Sequence, residues 1–90
     1  MEPPSTVRFV VQAARDPGTL LRLLEHLALR SYVPDSVQAR CHGDLLTIEI
    51  AVTDVDAGEA RIVAAKMESL FVVDRVLLEL EGADHASVPA

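Results

Sequence analysis

Two hydrophobic periods follow one another along this chain in a fixed order, and that order leaves few folds open. Apolar residues alternate with polar ones over residues 6–13, where Val7, Phe9 and Val11 are separated by Arg8, Val10 and Gln12. They then recur at helical spacing over residues 17–29, through Leu20, Leu23, Leu24 and Leu27. Alternation returns twice, over Ser36–His42 and Leu45–Thr53. A second helical stripe, Ala60, Val63, Ala64, Met67 and Leu70, falls within residues 57–70, and a last alternating run covers 72–81. Period two marks a half-buried strand and period 3.6 an amphipathic helix. The order is strand, helix, strand, strand, helix, strand.

Connections sharpen this reading. Asp16, Pro17 and Gly18 form a helix start, with Asp16 as N-cap and Pro17 in the first turn, where its missing N–H costs nothing. His42, Gly43 and Asp44 form a hairpin turn. Asp54 belongs to a turn, and Asp56 with Glu59 forms a capping pair ahead of the second helix. Two crossovers joined by a central hairpin predict an α+β, ferredoxin-like βαββαβ domain. Its four-stranded antiparallel sheet has the order 4-1-3-2 and carries both helices on one face. The domain is expected over residues 6–81, with 1–5 and 82–90 as flexible termini.

Function classes fall away in turn. Fourteen Asp and Glu stand against eight Lys and Arg, a formal charge of −6, which is wrong for a nucleic-acid surface. Only Phe9, Tyr32 and Phe71 are aromatic, and Phe9 alternates with Arg8 toward the core, so no stacking platform for single-stranded bases is expected. One cysteine, Cys41, cannot form an internal disulfide. It adjoins His42 on a strand, so the two side chains point to opposite faces and make neither a metal pair nor a nucleophile–base pair. Cys41 is expected to be a small buried residue. No paired carboxylates converge, so neither a catalytic residue nor a cofactor is assigned. No apolar run is long enough for a membrane helix, and the start of the chain does not resemble a signal peptide, so a cytoplasmic protein is expected.

Half of the residues are hydrophobic, and the first helix is apolar beyond its core stripe, through Leu21, Ala28 and Leu29. That surplus points to a partner surface. The open face of the sheet, by contrast, is expected to carry Arg8, Val10, Gln12, Gln38, Arg40, Thr47, Glu49, Ala51, Arg75 and Leu77, a mostly polar set with a small apolar patch.

The strand at residues 7–13, the Asp16–Pro17–Gly18 turn, the leucine-rich helix, Arg30–Ser31–Tyr32 and the run Pro34–Asp35–Ser36–Val37 together resemble an ACT domain. That is the small βαββαβ regulatory module of amino-acid metabolism. The run from Met67 to Val76 resembles the small regulatory subunit of acetohydroxyacid (acetolactate) synthase in its compact form, similar to that of isozyme II. The resemblance implies a non-catalytic subunit of branched-chain amino-acid biosynthesis. It would form a homodimer and activate a catalytic large subunit that is thiamine-diphosphate-dependent and carries the cofactors. A free-standing ACT domain sensing an amino acid, or a pure dimerisation module, is the alternative. In ligand-binding ACT domains the effector lies between two copies, which implies Arg15, Asp16, Gly18 and Val33 as candidate ligand residues. Arg15 and Val33 replace asparagines common at those positions, so the resemblance implies at most a weak amino-acid ligand. For the interface it implies Leu21, Ala28, Leu29, Val37 and Ala39, because strand two is the usual joining edge.

Overall fold

In the computed structural model the described residues are 6–81; the expected flexible termini, 1–5 and 82–90, lie outside them. Six elements follow in order: β1 (Thr6–Ala14), α1 (Thr19–Ala28), β2 (Ser36–His42), β3 (Leu45–Thr53), α2 (Ala57–Glu68) and β4 (Val73–Glu81). The strands form one antiparallel sheet ordered β2-β3-β1-β4. The expected fold class and strand order are both present.

The alternation of each strand sorts its residues between faces. Val7, Phe9, Val11 and Ala13 of β1 and Leu46, Ile48, Ile50 and Val52 of β3 are buried with Leu23 and Leu27 of α1 and Ala60, Val63 and Met67 of α2. The paired register puts Phe9 between Ile50 and Leu78 at the centre of this core.

β4 departs from a plain alternation. Val76, Leu78 and Leu80 face the helices, so an unbroken strand would turn Asp74 inward. The register shifts at Gln12/Ala13, where Arg75 pairs with Gln12 but Val73 with Ala13. This bulge ejects Asp74 and buries Val73 in its place.

Both helix starts rest on an aspartate, in different ways. Asp56 is the N-cap of α2 and accepts hydrogen bonds from the Gly58 and Glu59 N–H groups. Glu59 does not close a capping box. It reaches across to α1 and pairs with Arg30 at 2.7 Å. Asp16 is not the N-cap of α1 as expected. The Thr19 N–H donates to the Asp16 carbonyl, a turn that delays the helix to Thr19, and Gly18 stands at the cap position. Asp16 still accepts the Gly18 N–H through its carboxylate at 2.9 Å. Thr19, fully buried, donates its hydroxyl to the Ala14 carbonyl and locks α1 to the end of β1.

The end of α1 is a Schellman motif. Tyr32 N–H donates to Leu27 O and Ser31 N–H to Ala28 O, which forces Ser31 to a φ of 65°. Tyr32 then packs against the core. A side chain at this left-handed position costs about 1 kcal/mol that glycine avoids. Ser31→Gly is therefore expected to raise the melting temperature by about 4–8 °C. A lowered melting temperature in calorimetry would contradict this backbone geometry.

Candidate functional site

Three loops meet at one end of the sheet. The Ala14 N–H donates to Val72 O in the turn before β4, and the Arg15 N–H donates to Asp44 O in the β2–β3 turn. The Arg15 guanidinium adds a bond to Gly43 O at 3.2 Å. These bonds fix Arg15, Asp16, Pro17 and Gly18 as a tied platform ahead of α1.

Gly18 has a φ of −90° and a ψ of −4°, which any residue adopts. A Cβ added there would meet Asp16 Oδ2 at 3.4 Å and Arg22 Nε at 3.7 Å, ordinary contact distances. Neither the backbone nor the packing of this chain requires glycine. Val33, 80% exposed, lies beyond the other end of α1. A ten-residue helix spans about 15 Å. Arg15, Asp16 and Gly18 are thus brought together within one chain, and Val33 stands apart from them.

The surface on the other side of α1 is built differently. α2 lies over β4 and β1, and Leu23 and Leu27 of α1 face the core. His26 and Arg30 turn toward α2, lining a groove of about 360 Å³ with Leu29 and Lys66. Successive helical residues are about 100° apart, which places half-buried Leu24 with exposed Leu21 and Ala28 on the side away from α2. Leu29 does not share their face: it belongs to the groove.

Beyond that side of α1 lies β2, and all seven of its residues are exposed. Val37, Ala39 and Cys41 pair with Ile50, Ile48 and Leu46, so they lie on the helix-bearing face of the sheet. No helix covers them. The expected burial of Cys41 is therefore wrong: it is an exposed, free thiol. Alternation gave its face correctly, but β2 is an edge strand extending past the helix layer. The candidate interface residues Leu21, Ala28, Val37 and Ala39 form one apolar border along this edge.

The two sheet edges differ. β4 carries the Asp74 bulge and Glu79, both devices that discourage strand addition, whereas β2 runs without a bulge and has Arg40 as its one fully charged residue. On the open sheet face, Val10 and Leu77 are paired neighbours flanked by Gln12 and Arg75. No group of three or more metal-ligating side chains occurs among the described residues, and no described helix is long and apolar enough to cross a membrane.

A model of the ACT-like domain family matches residues 3–86. Among solved structures, the ACT domain from GTP pyrophosphokinase of Chlorobium tepidum superposes with a TM-score of 0.73 at 6% identity, covering 84% of this chain and 99% of that one. A homoserine dehydrogenase from Thiobacillus denitrificans gives 0.72 at 20% identity over 86% of this chain, which spans only 17% of the enzyme. The regulatory subunit of aspartate kinase from Thermus thermophilus gives 0.68 at 17% identity, over 96% of this chain and 62% of that one. At these identities the likeness is one of fold. No curated protein matches the chain.

Proposed function

The chain belongs to the ACT-like domain family, and on that premise we propose that it is a non-catalytic regulatory subunit that pairs with a second copy through β2 and α1. The uncovered β2 edge carries this reading. Its exposed backbone can be extended by a second β2, while Leu21 and Ala28 border the ledge formed by Val37 and Ala39. Antiparallel pairing about a two-fold axis would also place the Gly18 platform of one copy near Val33 of the other. These are the two ends of α1 that one chain holds about 15 Å apart.

A ligand seated there would lie between copies, with Arg15 available to a carboxylate and Gly18 leaving room for close approach. Gly18→Leu is expected to weaken pairing or ligand binding while leaving the unfolding midpoint of the isolated fold within a few tenths of a kcal/mol. Sedimentation and urea unfolding, run together, check this. Unchanged association and unchanged ligand binding would remove the role given to Gly18.

The partner we assign is the catalytic large subunit of acetolactate synthase, a thiamine-diphosphate-dependent enzyme of the cytoplasm. The resemblance of the Met67–Val76 run supports that choice. The pair would act by binding the active conformation of the larger subunit more tightly than the inactive one, a shift of population that needs no chemistry from this chain. The alternative, a free-standing amino-acid sensor, is favoured by the unexplained space at Gly18. Two assays separate them. Activation of acetolactate synthesis on adding the purified chain supports the subunit reading. Heat on titration with valine, leucine or isoleucine, without activation, supports the sensor. Neither response would leave a dimerisation module only.

A further inference from the structure

Phe71 is 100% exposed, in the turn between α2 and β4. A whole aromatic ring left in water forfeits a large burial energy. Its surroundings are held in place rather than loose, because Val72 O accepts the Ala14 N–H at 2.7 Å and the Val73 N–H donates to Leu70 O. Glu68 and Asp74 flank it in sequence, and the tied loops bring Asp16 and Asp44 to the same end of the sheet. All four carboxylates are exposed, against one exposed arginine, Arg15. Phe71 is an aromatic plug with an acidic rim.

The groove between α1 and α2 has the opposite character. Leu29 is 78% exposed along it, and His26, Arg30 and Lys66 line the rest of its 360 Å³. Ile62, one turn before Lys66 on α2, is also exposed. Arg30 is engaged by Glu59, but Lys66 has no ion-pair partner among the described residues. The groove is an apolar slot with a basic rim, and it has room for a phenyl ring.

We propose that Phe71 of one copy docks in the α1/α2 groove of another, joining β2-paired dimers through their helix layers. A second copy is the occupant because one chain carries both halves, complementary in shape and charge. The ring would lie on Leu29 with Lys66 and Arg30 close enough for cation–π attraction. Lys66 would meet Glu68 or Asp74 of the docked copy. If two copies dock reciprocally the contact closes, and a pair of dimers becomes a tetramer. This contact does not involve β2, so it stands or falls separately from the pairing proposed above.

Sedimentation velocity over a concentration series tests it with the full chain. The wild type is expected to pass from dimer to tetramer. Phe71→Ser and Lys66→Glu, both changes at exposed positions that leave the core intact, are expected to stop at dimer, with association of dimers at least tenfold weaker. Added salt should weaken the wild-type tetramer in the same direction. Leu21→Asp should instead remove the β2-paired dimer and leave a species joined only through Phe71. A wild type that never exceeds a dimer, or a Phe71→Ser variant that assembles as the wild type does, would overturn the proposal without touching the β2 interface.

Discussion

Leu21→Asp is expected to leave the chain folded and to separate its pairs into single copies. Leu21 is 70% exposed in the single chain, so the substitution removes almost no core contact and introduces a carboxylate that water can reach. In the pair, the same position would be covered by the neighbouring α1 and by the Val37–Ala39 ledge. A carboxylate covered there without a partner must be desolvated or protonated, and either is costly. A central interface position of this kind is worth about 2–4 kcal/mol, so pairing should weaken about thirtyfold or more. Circular dichroism would show the same helix content, and the unfolding midpoint extrapolated to low concentration would not move. Sedimentation showing the wild-type assembly unchanged would remove α1 from the interface.

The largest loss of stability is expected from Phe9→Ala. Phe9 is wholly buried at the centre of the sheet, paired with Ile50 and Leu78 under both helices. Removing the ring loses its transfer energy and leaves a cavity that the β-branched neighbours cannot collapse into, about 3–5 kcal/mol together. A domain of this size holds about 4–11 kcal/mol in total. The variant should therefore unfold at a much lower urea midpoint with an unchanged slope. A loss below about 1 kcal/mol, measured by urea unfolding, would contradict the central position given to Phe9.

The architecture was legible because its signals are local and periodic. β1 and β3 alternate strictly, and Leu23, Leu27, Val63 and Met67 fall where a helix needs them. Non-local arrangements were not legible. The bulge at Asp74 exists because β4 must match β1 at Ala13 while keeping Val73 inside, a matter of register between distant segments. Cys41 has the alternation of a core residue, yet no helix reaches β2. A periodic pattern names a residue's face without saying whether anything covers it. Asp16 reads as an N-cap because the residue type suits one, and the turn closed by Thr19 moves the cap on by two positions. The strained φ of Ser31 left no mark beyond a serine where glycine is favoured.

The site was partly legible for the same reason. Arg15, Asp16 and Gly18 are contiguous and were grouped correctly, while Val33 joins them only if a second chain is present. Leu21, Ala28 and Leu29 look equivalent as surplus apolar residues, but the helix divides them between the β2 side and the α2 side. Phe71 stood out in the sequence only as an aromatic outside the core. Its full exposure on a hydrogen-bonded turn is a property of the fold.

Amide hydrogen exchange of Ser36–His42, measured at low and high protein concentration, tests the pairing most directly. If β2 extends into a second copy, its outward N–H groups become hydrogen-bonded on assembly, and their exchange should slow sharply with concentration while β1 and β3 stay unchanged. Exchange at free-peptide rates for those outward amides at every concentration would mean that the β2 edge stays bare, and that this chain does not work by pairing along it.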